Sequence, residues 1–196
     1  MKILGLDSSG IVASVAIVED ENLIAEYTVN YKKTHSQTLL PMLDELVKMT
    51  ELDLDTIDAI AVAAGPGSFT GLRIGSATAK GLGLALKKPL VEIPTVDALA
   101  NNLYDSRALI CPIMDARRSQ VYTGIYRFQE HKLVTVEAQM AVPMAEMIEK
   151  LNARGEEVVF LGDGVPVFGK MIQENLKLPY SFAPAHVNKQ RAAAVA

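Results

Sequence analysis

The chain has 196 residues, enough for one ordinary domain or two small ones. With 49% hydrophobic and 21% charged residues it has the means for a globular core, and a net charge of −4 argues against a nucleic-acid-coating protein. Its single cysteine, Cys111, excludes a disulfide framework; the N-terminal residues read as a strand rather than a signal peptide, and no apolar run reaches membrane-spanning length, so a soluble cytoplasmic protein is expected.

Lys2 to Leu6 reads as a short strand that ends in the polar turn Asp7-Ser8-Ser9-Gly10. Ile11 to Val18 and Leu23 to Tyr31 read as two further strands, separated by Glu19-Asp20-Glu21-Asn22. Two tight turns between three strands imply an antiparallel meander. An acidic residue at a strand tip followed by serines either holds a phosphate or its metal, or satisfies its own local amides. Thr34-His35-Ser36-Gln37 has capping-box spacing, which predicts a helix from there. Its core stripe is Leu39, Leu43, Leu46 and Val47, while Leu40, Met42 and Met49 widen the apolar surface. That excess suits either burial on two sides or a partner-binding face with adaptable methionines. Pro41, just past the first turn, is expected to bend the helix slightly.

Ile57 to Ala64 reads as a buried strand, leading into the run Gly65-Pro66-Gly67-Ser68-Phe69-Thr70-Gly71-Leu72-Arg73-Ile74-Gly75. The pattern is strand, glycine turn, helix, with the helix reaching about Leu86. Gly71, Gly75, Ala79 and Gly83 recur every four residues and so share one face. A helix-interior glycine is unfavourable by up to about 1 kcal/mol relative to alanine. Such a smooth face therefore implies close approach by another helix, from this chain or from a partner. Arg73 in the first turn opposes the helix dipole, which suggests an acidic or phosphate partner. Leu90 to Ile93 is a further strand, and Pro94-Thr95 opens a small helix through Leu103.

The segment Asp105-Ser106-Arg107 is the expected domain boundary, giving domains 1–105 and 106–196. Beyond it the chain repeats its first pattern of strands and turns. A strand from Ala108 to Met114 ends in Asp115, then come Gln120 to Phe128 and Leu133 to Ala138. Asp7 and Asp115 thus occupy matching places, and Val158 to Leu161 leading into Gly162-Asp163-Gly164 echoes the first glycine turn. The repetition implies a duplicated α/β domain, each half a mixed sheet with helices on its faces. The final run, Lys189 to Ala196, starts a helix without a stop signal, so a longer last helix is expected.

This order of elements resembles the duplicated RNase H-like/actin-like (ASKHA) fold. Leu4-Gly5-Leu6-Asp7-Ser8-Ser9, His35-Ser36 before Leu39-Leu40-Pro41, the run Gly65 to Gly75, Asp115-Ala116-Arg117-Arg118 and Gly162-Asp163-Gly164 together resemble the TsaB (YeaZ) family of tRNA threonylcarbamoyladenosine biosynthesis proteins. The resemblance implies a non-catalytic, activating subunit. It would bind a TsaD-like catalytic subunit, be joined by a TsaE-like ATPase, form a homodimer when alone, and have at most indirect contact with tRNA. It assigns the interface to the helix near His35 and the helix after the glycine turn. The residues then expected to serve there are His35, Leu39, Leu40, Met42, Leu43, Gly71, Leu72, Gly75, Ala79 and Gly83. Candidate phosphate or nucleotide contacts are Asp7, Ser8, Ser9, Gly65, Gly67, Arg73, Asp115, Arg117 and Arg118. ATP or ADP, if held, is expected to bind weakly or at the complex interface, with no cofactor required by the chain. In the second half, Arg117 and Arg118 replace the small residues of a phosphate hairpin, and they suit a phosphate, tRNA or an acidic partner surface.

A metal-dependent transferase or peptidase of this kind needs two histidines one helical turn apart. His35, His131 and His186 form no such pair, so no metal site is expected. A serine-hydrolase reading lacks the Gly-x-Ser-x-Gly elbow around Ser68. The rival function is an independent ATPase or small-molecule kinase on the same fold.

Overall fold

The computed structural model describes residues 1–31 and 35–196. Its elements, in chain order, are β1 (Lys2–Asp7), β2 (Ala13–Glu19), β3 (Asn22–Val29), α1 (His35–Thr50), β4 (Ala59–Gly65), α2 (Phe69–Leu86), β5 (Leu90–Pro94) and α3 (Thr95–Asn101). Next come β6 (Leu109–Arg117), β7 (Gln120–Gln129), β8 (Lys132–Pro143), α4 (Met144–Arg154), β9 (Val158–Leu161), α5 (Val165–Asn175), β10 (Tyr180–Phe182) and α6 (Ala192–Val195). The expected capping threonine, Thr34, lies outside the described residues. No helix among the described residues is long and apolar enough to cross a membrane.

The chain divides into two units, Met1–Ala98 with Gln190–Ala196, and Leu99–Lys189. The division falls seven residues before the expected boundary at 105, and the last seven residues leave the second half for the first. The reason is local packing. The backbone N–H of Ala192 donates to Ser14 Oγ at 2.9 Å, that of Ala193 donates to Glu26 Oε1 at 3.1 Å, and the Arg191 guanidinium pairs with the Glu26 carboxylate.

In the first unit, the sheet order is β3-β2-β1-β4-β5. The β1–β2 and β2–β3 pairs are antiparallel, whereas β4 lies parallel to both β1 and β5. Period-two alternation sorts β1 between two faces. Leu4 and Leu6 join Leu39, Leu43, Leu46 and Ala79 under α1 and α2. Gly5, between them, faces the other way and makes room for the Ala192 carbonyl of the C-terminal segment.

In the second unit, the order is β10-β9-β6-β7-β8, with the same pattern of antiparallel and parallel pairs. Leu109, Cys111 and Ile113 alternate into a core with Phe160 of the neighbouring strand β9 and with Met147, Leu151, Phe168 and Ile172 from α4 and α5. Burial pushes the Cys111 thiol up to about 12, so it stays an inert thiol. The two units share one strand order, and the duplication read from the repeated motifs is present. The strand β8 runs to Pro143, five residues past the expected end, because alternating partly buried residues keep pairing with β7.

Candidate functional site

In the first unit, the glycine turn folds back onto the strand-tip turn. Ser68 caps α2, its Oγ accepting from the Gly71 N–H at 3.2 Å, and its own N–H donates to the Ser9 carbonyl at 2.7 Å. Gly71 packs against the Ser8 carbonyl so closely that a Cβ there would collide with it. The Ser8 hydroxyl donates to the Gly71 carbonyl at 2.9 Å, and a Cβ on Gly75 would lie 2.5 Å from Ser8 Oγ. Gly67 likewise abuts the Ser9 carbonyl, and Gly65, at φ +110°, takes a turn that side chains resist.

Asp7 is 1% exposed. Its Oδ1 accepts from Ser9 N–H at 2.8 Å and from the Ser9 hydroxyl at 2.6 Å. Burial pushes the carboxyl above the usual aspartate range, and the Ser9 hydrogen bonds pull it part of the way back. His35 donates from Nε2 to the Gly10 carbonyl at 2.9 Å. Gln190, 1% exposed, lies over Gly10, and neither end of its amide has a partner among the described residues.

Two features of this geometry bear on the expected site. The Ser8 and Ser9 hydroxyls and the Ser9 amide are engaged within the chain. The small face of α2 is an inner face: Gly71, Gly75, Ala79 and Gly83 are buried, as are Leu39, Met42 and Leu43 on α1. Smoothness there serves the approach of α2 to its own strand tip, and His35 points into the same packing. Of the expected interface residues, Leu40 is 52% exposed and Leu72 lies half-buried at the edge of a groove.

The outward face of α2 is different. Phe69 is 69% exposed and Leu84 83% exposed, with Arg73, Ala77, Lys80 and Gly81 exposed between them. The Arg73 guanidinium lies 3.9 Å from the Phe69 ring centroid. Arg73 and Lys80 also line a groove of about 450 Å³ together with Val62, Ala63 and Glu92. Met49, on α1, is 78% exposed. Sequence reasoning misses the packing roles of Ser68, Gln190 and Glu26. A serine before a helix is a readable cap signal, whereas the other two act across long separations.

In the second unit, Asp115 Oδ1 accepts from the Arg117 N–H at 2.9 Å, and Arg117 Nη1 reaches Asp115 Oδ2 at 3.3 Å. Arg117, Arg118 and Ser119 all adopt left-handed conformations in the hairpin turn. The Asp115 N–H donates to Asp163 Oδ1 at 3.3 Å, and burial raises the Asp163 carboxyl, with the Asp115 charge adding to the rise. Gly164 N–H donates to the Ile113 carbonyl at 2.9 Å. The second glycine turn thus closes on its strand as the first does, but it leaves Arg117 and Arg118 exposed.

Comparison with known proteins places this architecture. A family model described as TsaD, tRNA N6-adenosine threonylcarbamoyltransferase, matches residues 22–196. The tRNA threonylcarbamoyladenosine biosynthesis protein TsaB of Bacillus subtilis (strain 168) is 36% identical over 176 residues, covering 90% of this chain and 77% of that protein. The chain belongs to the TsaB (YeaZ) family. The solved structure of YeaZ from Pseudomonas aeruginosa is similar over 99% of this chain and 88% of its own, with a TM-score of 0.82 at 26% identity. An inorganic polyphosphate/ATP-glucomannokinase from Arthrobacter sp. strain KM shares the fold, with a TM-score of 0.55 at 13% identity over 98% of this chain and 94% of its own. The family and the fold class are those expected from the motifs.

Proposed function

We propose that this chain is a non-catalytic, activating subunit in the synthesis of N6-threonylcarbamoyladenosine in tRNA, acting in the cytoplasm. It docks on a TsaD-like catalytic subunit, is joined by a TsaE-like ATPase, and pairs with itself when alone. The supporting observation is the outward surface of α1 and α2, where Leu40, Met49, Phe69 and Leu84 are exposed together with Arg73 and Lys80, which have no ion pair among the described residues. The chain itself requires no cofactor. ATP or ADP acts in the assembly, because the first strand-tip turn uses its hydroxyls internally, and contact with tRNA is indirect.

The test is capture of a TsaD-like subunit by the full chain, then a tRNA modification assay with and without it. Leu84→Asp is expected to lower capture at least roughly tenfold, the usual scale for an exposed apolar anchor. Modification should fall with it, while the folding midpoint stays put. Unchanged capture would remove this surface from the interface. Robust ATP turnover by the isolated chain, lost in Asp7→Ala, would favour the independent ATPase or kinase instead.

A further inference from the structure

The strand β5 is an open edge of the first sheet. It pairs with β4 alone, and Leu90, Val91, Glu92 and Pro94 are exposed along it. The Ile60 N–H donates to the Pro89 carbonyl at 3.0 Å, and Ile60 stands opposite Leu90 in the parallel ladder. That bond fixes the phase of the strand. Val91 and Ile93 turn their backbone groups to β4, whereas Leu90 and Glu92 turn theirs to the open edge. Neither has a backbone partner there among the described residues. Edge strands are commonly blunted by proline or charge. Pro89 and Pro94 bracket this one, so the usable edge is the stretch from Leu90 to Glu92. The side chains of those same two residues lie on the α2 face: Leu90 packs at Gly83, and Glu92 lines the groove with Val62, Arg73, Ser76 and Lys80. Arg73 and Lys80 have no ion pair among the described residues, and Glu92 is the one carboxylate in the groove lining.

Going beyond the partner-subunit reading and independent of it, we propose that the β5 edge takes an extended acidic segment of another protein as a further strand, its carboxylates toward Arg73 and Lys80. Backbone hydrogen bonds to Leu90 and Glu92 set the register, as strand addition to a sheet edge requires. Alternate side chains of a strand share a face. Every second side chain of the segment therefore rises on the α2 side, beside Leu90 and Glu92, where an acidic group meets the two cations of the groove. Charge selects the occupant. A basic segment would set like charges against Arg73 and Lys80, and an apolar one would leave both unmatched. The β5 edge of a second copy brings one carboxylate, Glu92, and two cations of its own, so it is the poorer match.

The probe is a capped peptide of alternating valine and glutamate, about eight residues long, within the usual range of strand lengths. Amide hydrogen exchange of the full chain is read residue by residue by NMR, with and without it. At about nine times the peptide Kd, exchange at Leu90 and Glu92 should slow roughly tenfold, and Val91 and Ile93, already bonded to β4, should change less. The same peptide with lysine for glutamate should bind at least roughly tenfold more weakly, as should the acidic peptide on a chain carrying Arg73→Glu and Lys80→Glu. Two substitutions at residue 92 separate charge from backbone. Glu92→Gln removes the opposing carboxylate and should tighten the acidic peptide. Glu92→Pro removes the same carboxylate together with the outward N–H, touches no bond to β4, and should bind roughly tenfold more weakly than Glu92→Gln. A thermal scan checks that each variant is folded, and the Arg73 and Lys80 substitutions, which leave the strand untouched, carry the test if the proline chain is not. No slowing at Leu90 and Glu92, equal affinity for the lysine peptide, or equal binding by Glu92→Pro and Glu92→Gln would overturn the proposal. Slowing of both amides in the protein alone, growing with its concentration, would overturn it too by assigning the edge to a second copy.

Discussion

The two strand-tip turns of this molecule start from the same motif and end in different states. At the first, Asp7 is buried, its Oδ1 is engaged by the Ser9 amide and hydroxyl, and the start of α2 lies directly on the Ser8 and Ser9 carbonyls. At the second, Asp115 is partly exposed and the hairpin carries Arg117 into solvent. The difference lies in the helix after each glycine turn. α2 is smooth at Gly71 and Gly75 and reaches the tip itself. α5 instead starts with Val165 and Pro166 and buries Phe168 in its own core. The second glycine turn also meets its strand, at the Ile113 carbonyl, but it leaves the Asp115 hairpin exposed where α2 covers the first tip.

The largest expected effect comes from breaking that closure. Gly71→Ala drives a Cβ into the Ser8 carbonyl and should destabilise the chain by about 2–3 kcal/mol, the usual scale for overpacking. The glycine of α5 behaves oppositely. A Cβ on Gly169 meets only Phe182 Cζ at 3.9 Å, so Gly169→Ala should be neutral or stabilising by up to about 1 kcal/mol. Denaturant unfolding of both variants checks the pair. Equal effects would mean that closure by α2 is not what distinguishes the tips.

Much of this fold is readable from the residues alone. The strands and the duplication are legible because period-two alternation and repeated Asp and glycine turns are local signals. The stripe of Gly71, Gly75, Ala79 and Gly83 is legible as one smooth face, but not the surface it meets. Ser8 lies 63 positions before Gly71, and no local pattern announces that contact. A smooth helix face fits a strand tip as well as it fits a partner helix. The C-terminal return is hidden for the same reason, since Arg191 finds Glu26 across 165 positions. Arg73 in a first helical turn suggests an anion, but the nearer Phe69 ring, one helical turn away, takes it first.

The second effect is pH-dependent. The folded-state value of Asp7 is raised, so the stability linked to it is complete below the ordinary aspartate value of 3.8 and is lost as pH rises through the raised one. Asp7→Asn keeps an oxygen for both Ser9 donors and removes the titration. Relative to the parent it should gain stability as pH rises above about 4. The offset from lost charge assistance should be about 1 kcal/mol, smaller than that of Gly71→Ala. Unfolding free energies measured from pH 3 to 8, about the range over which carboxylates titrate, give the difference curve. A flat curve would mean that the carboxyl is not held against its charge by burial.

The smallest effect belongs to the open tip. Arg117 is 85% exposed and pairs with Asp115 at 3.3 Å, so solvent screens most of the attraction. Arg117→Ala should lower stability by no more than about 0.5 kcal/mol, and that difference should vanish near 1 M salt, where screening acts within about 3 Å. The hairpin keeps its shape in this variant because Asp115 Oδ1 is held by the residue-117 backbone N–H, which the substitution leaves in place. Asp115→Ala removes that acceptor as well as the ion pair, and should cost about 1 kcal/mol more. If Arg117→Ala proved as damaging as Asp115→Ala, the guanidinium rather than the backbone would be holding the open tip.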